Sequence, residues 1–266
     1  MAMRFRILGS GSSGNSALLV TGKARILIDA GFSARRLGQL LGQSGESLDG
    51  VDAVFITHEH GDHTAGIEGL KKYPRLALFA NEATARAIQA GLTHKPDWHI
   101  FETGSSFHFR DLEIESFSVP HDAHDPVGFR FTDRGGGAPP ARPCSLAWLT
   151  DLGHAPAHLH EHLRECDVVV IEANHCPRLL QADTRRPWST KQRIGGRHGH
   201  LSNEAARDLL TQVASPRWQR VYLTHLSRDC NSSAALEAAL APARSLLCCE
   251  FSIVGPGEGT AFYDFA

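Results

Sequence analysis

The sequence predicts an α/β fold in which sheets are covered by helices. Short apolar runs of strand type alternate with helix-type segments along the 266 residues. Four of these strands lead directly into His or Asp, so loops at one sheet edge can bring polar side chains together. Apolar residues make up 42% of the chain and charged residues 21%, as in ordinary globular proteins, and the length suffices to bury a core.

The first part of the chain predicts strands that are followed by turns and helices. Strands are expected at residues 4–8, 17–20, 25–30, 51–56 and 76–80. Helices are expected at residues 33–41, 64–72 and 82–90. Ser33 suits the N-cap of the first helix, because its hydroxyl can accept from a free backbone N–H. Pro74 and Gly91 suit the ends of the other two.

From residue 98 onward, short runs of strand type are more frequent. Strands are expected at residues 98–101, 106–109, 112–119, 127–131, 145–149, 167–171, 220–223, 247–254 and 261–265. Helices are expected at residues 155–164, from the cap Ser202 to about residue 213, and at 232–240. Residues 134–143 are expected to form a surface loop, and residues 176–198 an irregular basic segment.

The stretch T-H-E-H-G-D-H follows the apolar run at 51–56 and supplies three imidazoles and a carboxylate. His58 and His60 are two residues apart and can bind one ion. Asp62 and His63 follow a glycine and can bind a second. Because mixed His and Asp ligands suit divalent metals and hydrolytic chemistry, the stretch predicts a metal centre at the end of a strand.

Further candidate ligands follow later strands. His121 and His124 lie in one polar loop, and either of them could be the ligand there. Asp151 lies in a T-D-L-G turn, and His225 follows the strand at 220–223. Loops at the same sheet edge would bring these side chains close to the histidine stretch.

The charge distribution bears on the substrate. The net charge of −2 gives no overall basic field, so any contact with nucleic acid needs a local patch. Between residues 178 and 197, five arginines and a lysine stand against one acid, Asp183. This segment fits either a solvated loop or a contact with a DNA backbone.

The cysteines and the N-terminal sequence indicate the compartment. Six cysteines form no Cys-x-x-Cys pair, which is typical of reduced thiols. The first residues lack the apolar core of a signal peptide, and no apolar run approaches the length of a membrane span. We expect a cytoplasmic protein with no membrane partner, and the sequence leaves its oligomeric state open.

The H-x-H-x-D-H run resembles the hallmark of the metallo-β-lactamase fold superfamily. The later elements of that superfamily also follow in order, as a lone His after a strand, an Asp in a T-D-x-G turn and a last His after a strand. In this sequence they are His121, Asp151 and His225.

The combination of motifs is most similar to the YycJ/WalJ subgroup, which is associated with exonuclease activity on DNA. The motifs are S-G-S-S-G-N-S from residue 10, H-D-A from 121, E-A-N-H from 172, G-H-L-S-N from 199 and H-L-S from 225. The resemblance extends from about Phe5 to the C-terminus. It implies a single domain over residues 1–266 with the four-layer αββα sandwich of the superfamily.

The resemblance implies two divalent metal ions, for which Zn, Mn and Fe are candidates. Two ligand sets and a bridge are expected: His58, His60 and His121 for one ion, Asp62, His63 and His225 for the other, and Asp151 between them. The two oxygens of a carboxylate suit that bridging role. A hydroxide shared by the ions and oriented by Asp62 would be the nucleophile.

The resemblance also implies an acid and substrate contacts. His200, paired with Glu172, is the candidate general acid, because the carboxylate would fix its tautomer and raise its basicity. Contacts with substrate phosphate are expected from a Gly/Ser loop and a helix N-terminus, at Ser12, Ser13, Asn15, Ser202 and Asn203.

The predicted function is a two-metal phosphodiesterase or nuclease, foremost an exonuclease with DNA as its substrate. RNA or a small, for example cyclic, phosphodiester is an alternative substrate. Hydrolysis of a thioester, lactone or β-lactam on the same fold is a third alternative, but it needs no acid such as the Glu172–His200 pair. A non-catalytic metal-binding module is the last alternative, and seven candidate ligands argue against it.

Overall fold

The computed structural model describes residues 3–134 and 143–265. Within these ranges the strands are β1 (Arg4–Gly9), β2 (Ser16–Val20), β3 (Arg25–Ile28), β4 (Ala53–Phe55), β5 (Ala77–Asn81), β6 (Trp98–Phe101), β7 (Ser106–Phe109), β8 (Leu112–Ser118), β9 (Val127–Asp133), β10 (Cys144–Leu149), β11 (Val168–Glu172), β12 (Arg220–Thr224), β13 (Glu250–Ile253) and β14 (Tyr263–Asp264). The loop expected at 134–143 lies mostly outside the described residues.

The α-helices of the described ranges connect these strands. They are α1 (Ala34–Gly42), α2 (Gly61–Thr64), α3 (Ile67–Leu70), α4 (Glu82–Gln89), α5 (Leu159–Arg164), α6 (Pro177–Ala182), α7 (Trp188–Ile194), α8 (Asn203–Val213) and α9 (Ser233–Leu240). Ser33, Ser202 and Ser232 cap α1, α8 and α9, and each hydroxyl accepts from a backbone N–H of the first turn. Among the described helices, none is long and apolar enough to span a membrane.

The described strands form two mixed sheets. The first has the order β14-β1-β2-β3-β4-β5-β6, and the second has the order β13-β12-β11-β10-β9-β8-β7. Strands β3 to β6 run parallel in the first sheet. Strands β10 to β13 run parallel in the second. Each sheet therefore has a parallel half whose carboxyl ends lie at one edge.

Alternating side chains along the strands separate three apolar cores. Phe55 points between the sheets, where it packs with Phe129 and Trp148. Its neighbour Val54 points to the opposite face and packs beneath the helices of the first sheet. A third core, which includes Val169 of β11, joins the second sheet to α5, α8 and α9. The helix–sheet–sheet–helix order confirms the predicted four-layer αββα sandwich.

Strained backbone marks several strand ends at the shared edge. Asp29 follows β3 with a φ of 59°, Asp151 follows β10 with a φ of 58°, and His225 follows β12 with a φ of 56°. Non-glycine residues seldom adopt this left-handed conformation, and it persists where the surroundings hold it. The strand ends therefore turn sharply and direct three polar side chains toward a common centre.

The helix expected at 64–72 is wrong in its bounds, because α2 and α3 replace it. Gly66 separates the two short helices, and its N–H donates to the carbonyl of Ala30 at 2.8 Å. A Cβ on Gly66 would lie 2.3 Å from the carbonyl oxygen of Phe32. This close backbone approach interrupts the helix and places Asp62 and His63 on α2, against the end of β3.

The segment 176–198 is also not irregular as expected. It contains α6 and α7, and between them Arg186 pairs with Asp183 and with Asp229, the latter at 3.0 Å. The pair with Asp229 is a tertiary contact. Such contacts stabilise two short helices that the local sequence does not predict. The other predicted strands and helices are present, β6 and β7 with the predicted ends and most others with shifted ends.

Candidate metal centre and active site

Three imidazoles meet beyond the ends of β4 and β8. Nε2 of His58 lies 3.0 Å from Nδ1 of His60, and Nε2 of His121 lies 3.3 Å from the same nitrogen. Tetrahedral ligands at ~2.0–2.1 Å from Zn²⁺ are about 3.4 Å apart. The spacing of the three nitrogens therefore suits a single divalent ion.

A second group joins α2 to the end of β12. Oδ2 of Asp62 lies 3.8 Å from Nε2 of His63 and 3.6 Å from Nε2 of His225. Both imidazoles are buried, whereas the side chain of Asp62 is 24% exposed. Asp62 is therefore the member of this group that remains accessible to a substrate or a water molecule.

Asp151 lies between the two groups. Its Oδ2 atom is 3.0 Å from Nε2 of His63, and its Oδ1 atom is 3.8 Å from Nε2 of His121. The structure thus brings together the seven side chains that the sequence analysis proposed as ligands. Each belongs to a group whose ligand atoms lie within 4.8 Å of one another.

Two buried atoms at this centre show that the residues fit a divalent cation. Within the described part of the chain, Oδ2 of Asp151 and Nε2 of His225 have no hydrogen-bond partner. A buried unpaired polar atom costs about 1–3 kcal/mol, and nearly all such atoms in proteins are paired. Imidazole nitrogens and carboxylate oxygens are both ligands of divalent metals, so a cation would satisfy these atoms.

Hydrogen bonds to Nδ1 orient three of the imidazoles. Nδ1–H of His63 donates to Oδ2 of Asp29 at 2.8 Å, and that of His121 donates to the carbonyl of Gly199 at 2.9 Å. Nδ1–H of His225 donates to Glu172 at 2.7 Å. In this tautomer each Nε2 keeps its lone pair toward the centre, as metal-binding histidines require.

Asp29 belongs to none of the sequence motifs. This carboxylate is fully buried and accepts hydrogen bonds from the backbone N–H and the hydroxyl of Thr57, at 2.8 and 2.9 Å. Burial raises the pKa of Asp29, although the charge of His63 offsets part of this effect. Its only signal in the sequence is its place directly after β3, which many turn residues share.

Glu172 is the hub of hydrogen bonds beside the metal centre. Its Oε1 atom accepts from Nδ1 of His200 at 2.8 Å and from Nδ1 of His225 at 2.7 Å. Its Oε2 atom accepts from the backbone N–H groups of Leu152 and Leu201, both at 3.1 Å. Burial raises the pKa of Glu172, but the charge of His200 and these hydrogen bonds outweigh it and lower the pKa to about 2. The group is therefore a carboxylate.

His200 lies at the rim of the centre, where its side chain is 22% exposed. Its Nδ1 atom is also 3.5 Å from Oδ1 of Asp151. Burial lowers the pKa of His200, yet the charge of Glu172 and its hydrogen bond raise it overall. In contrast, burial and the charge of His63 lower the pKa of His58 well below its usual value. His200 therefore holds its proton beside a carboxylate at the exposed rim, whereas His58 is buried in the group of three imidazoles.

The structure separates His121 from its alternative. The side chain of His124 is 67% exposed, and its Nδ1 atom lies 2.5 Å from Oε1 of Glu59. Among the described residues, His124 belongs to none of the groups that could hold a metal, whereas His121 does. The geometry favours His121 as the ligand from this loop.

The proposed phosphate contacts differ in how accessible they are. Ser12 and Ser13 are exposed at the tip of the Gly/Ser loop. Asn15 is buried beneath them, where its Oδ1 atom accepts from the N–H of Gly11 at 2.8 Å and its Nδ2 atom lies 3.1 Å from Nε2 of His63. The loop therefore packs directly on the metal centre.

The two residues at the start of α8 serve the helix and its neighbours. The hydroxyl of Ser202 accepts from the N–H of Ala205 at 3.1 Å. The amide of Asn203 is buried and exchanges two hydrogen bonds with Asn231, at 2.9 and 2.8 Å. Contacts of Ser202 and Asn203 with substrate remain predictions.

Comparisons with known proteins agree with this geometry. A family model described as "Beta-lactamase superfamily domain" matches residues 24–226. An exodeoxyribonuclease, WalJ of Streptococcus pneumoniae, is 36% identical over 237 residues, covering 87% of this chain and 84% of the relative. An exodeoxyribonuclease, YycJ of Bacillus anthracis, is 33% identical over 233 residues, covering 87% and 85%.

A solved structure supports the fold independently. The metallo-β-lactamase fold protein YhfI of Bacillus subtilis superimposes with a TM-score of 0.71. The match covers 98% of this chain and 100% of that protein, at 16% identity. At this identity the likeness concerns the arrangement of strands and helices alone.

Proposed function

This chain belongs to the β-lactamase superfamily and is a metal-dependent hydrolase, and from this premise we propose that it is a two-metal phosphodiesterase that degrades DNA as an exonuclease. The observation that carries the proposal is the Glu172–His200 pair, which lies 3.5 Å from the candidate bridging ligand Asp151. Such a pair supplies the proton that the leaving oxygen of a phosphodiester needs. The similarity to two exodeoxyribonucleases supports DNA as the substrate.

Seven residues would hold two divalent ions in this proposal. The sets are His58, His60 and His121 for one ion, Asp62, His63 and His225 for the other, and Asp151 between them. Bound ions would supply Lewis acidity toward the phosphoryl oxygens. Zn, Mn and Fe are each compatible with these ligands.

Asp62 and His200 would transfer the protons of the reaction. A water molecule attacks phosphorus in line with the leaving oxygen, and the P–O bond to that oxygen breaks. Asp62, which is partly exposed, orients the water and accepts its proton. His200 holds Nδ1–H toward Glu172, so Nε2–H of its imidazolium form gives a proton to the leaving oxygen. The products are a phosphate monoester and a free hydroxyl.

Hydrolysis of a small, for example cyclic, phosphodiester is the second candidate. The formal charge of −2 favours it, because duplex DNA is usually bound through several cationic contacts. The Glu172–His200 pair speaks against thioester, lactone or β-lactam hydrolysis, since those reactions do not need it. A cytoplasmic location accords with DNA as the substrate and is part of the proposal.

The test compares three substrates with the metal-loaded protein. End-labelled single-stranded DNA, end-labelled duplex DNA and a chromogenic small phosphodiester are incubated with Mn²⁺ or Zn²⁺. The proposal expects mononucleotides to be released progressively from one end of DNA. Hydrolysis of the small diester without cleavage of DNA would favour the second candidate, and no hydrolysis of any substrate would contradict both.

A further inference from the structure

A groove of about 730 Å³ lies beside His200, between α6 and α7. We call it the α6–α7 groove and define it by the lining residues His175, Arg178, Leu180, Trp188, Lys191 and Ser202. Ser202 follows His200 by two residues and is paired with His175 through an isolated β-bridge. His175 is also close enough to His200 for their charges to interact, so the groove lies near the candidate general acid.

Tertiary contacts hold the two walls of the groove in place. Nζ of Lys191 on α7 donates to the carbonyl of Gln181 on α6 at 2.7 Å. The turn between the helices is tied to the loop after β12, because Arg185 and Arg186 both pair with Asp229, at 2.6 and 3.0 Å. The α6–α7 groove is thus a built feature of the fold.

Trp188 presents a large aromatic surface in this groove. It lies in the first turn of α7, and 60% of the residue is exposed. Trp148 and Trp218 are almost fully buried by comparison. An exposed tryptophan in a cationic groove is a stacking surface for nucleic-acid bases, since every base has an aromatic face.

The charge of the groove complements a phosphate backbone. Arg178 and Lys191 line it, and among the described residues that line it none is an acid. Within the described part of the chain, Arg178 has no acidic partner. In contrast, Arg185 and Arg193 are paired with Asp229 and Asp122. Arg185 and Arg193 are therefore neutralised by acids, whereas the charges of Arg178 and Lys191 face the groove without an acidic partner among the described residues.

The floor of the groove carries an unused polar group. The relative exposure of His175 is only 4%, and its Nδ1 atom has no hydrogen-bond partner in the described part of the chain. Leu180 also lines the groove. A lining with both polar and apolar side chains suits a nucleotide, which has polar and aromatic parts, better than the apolar face of a helix.

We propose that the α6–α7 groove binds the single-stranded end of the DNA strand, with one base stacked on Trp188 and backbone phosphates on Arg178 and Lys191. The inference rests on the proposed function and deepens it, because it states which part of the substrate is bound and where. A strand held there enters the metal centre past His200. A single strand is favoured over a duplex, since stacking on a side chain requires an unpaired base.

The first experiment measures binding rather than cleavage. A fluorescent oligothymidylate with nuclease-resistant phosphorothioate links is titrated with the metal-loaded protein, and anisotropy gives Kd. Trp188→Ala is expected to raise Kd about tenfold, whereas Trp188→Phe keeps a stacking ring and stays within about threefold of the wild type. Arg178→Ala and Lys191→Ala should each reduce the slope of log Kd against log salt by about 0.7.

Two variants serve as matched controls. Leu246→Ala removes another exposed apolar side chain, 59% exposed. Lys72→Ala removes an exposed lysine that precedes β5, at the sheet edge opposite the metal centre. Both should bind the oligonucleotide like the wild type. Equal Kd values and salt slopes for the wild type, Trp188→Ala and Arg178→Ala would overturn the inference.

A second measurement separates this inference from the proposed function. Trp188→Ala should lose activity on DNA and keep its kcat/KM for a small chromogenic diester, because the diester does not reach the groove. A wild type that cleaves no DNA would refute the proposed function. A wild type and a Trp188→Ala variant that degrade DNA equally would refute the groove alone.

Discussion

Nε2 of His63 lies 3.0 Å from Oδ2 of Asp151, and both side chains are buried. Nδ1–H of His63 is already donated to Asp29, so Nε2 is the nitrogen that faces Asp151. Burial lowers the pKa of His63, but the charges of Asp151 and Asp29 outweigh it and raise the pKa well above its usual value. Together with His58, the two residues form a group whose ligand atoms lie close enough to hold a metal ion, which would link the end of β10 to α2.

Asp29→Asn should weaken metal binding without removing a ligand. The amide keeps the size of the carboxylate but loses the charge that holds Nδ1–H of His63. Loss of such a partner typically costs 10–100-fold in metal affinity. Competition with a chromophoric chelator would measure it, with Asp97→Asn as control because the side chain of Asp97 is 81% exposed. An unchanged affinity would show that Asp29 serves the fold alone.

The pair His121→Ala and His124→Ala should distinguish the ligand from its neighbour. His121 is buried and points Nε2 at His60, whereas His124 is exposed and contacts Glu59. We expect the first variant to lose bound metal and most hydrolytic activity, and the second to keep both. Elemental analysis and diester hydrolysis would test this. Retention of metal by His121→Ala together with its loss from His124→Ala would reverse the assignment.

His200→Ala should slow cleavage and leave the metal content unchanged. General acids contribute about 10²–10⁴-fold to rates, so kcat on DNA should fall by that factor. The loss should be smaller for a diester with a nitrophenolate leaving group, which needs little protonation. Equal losses on both substrates would argue against proton donation, and an unchanged kcat would exclude it.

Glu172→Gln should destabilise the protein. Four donors converge on the Glu172 carboxylate, from His200, His225, Leu152 and Leu201. An amide has one acceptor oxygen, so at least one buried donor loses its partner at a cost of about 1–3 kcal/mol. Urea denaturation would measure the free energy of unfolding. Glu165→Gln is the control, because the side chain of Glu165 is 67% exposed, and equal stability of both variants would contradict the role of Glu172 as a hub.

The sequence predicts which candidate ligands lie together, because these residues follow strands directly. Strand periodicity fixes where β4, β10 and β12 end, and parallel strands place these ends at one edge. His58, Asp151 and His225 could therefore be named without coordinates. The left-handed backbone of Asp151 and His225 could not, since it depends on contacts between distant segments.

Other features depend on tertiary contacts that no local pattern encodes. Asp29 looks like an ordinary turn residue until His63 is placed against it. The mutual pairing of Asn203 with Asn231 joins segments 28 residues apart. The helices α6 and α7 have six and seven residues, too short to be stable alone, and ion pairs with Asp183 and Asp229 hold the turn between them.

The metal content of the wild type and of Asp151→Ala shows whether the seven candidate ligands hold two ions and whether Asp151 joins the two sites. Both proteins are reconstituted with Zn²⁺ or Mn²⁺, dialysed and analysed by inductively coupled plasma mass spectrometry. We expect about two ions per wild-type chain and a marked loss in Asp151→Ala, while circular dichroism shows a folded variant. A wild type that retains no metal, or an Asp151→Ala variant with the wild-type content, would contradict this expectation.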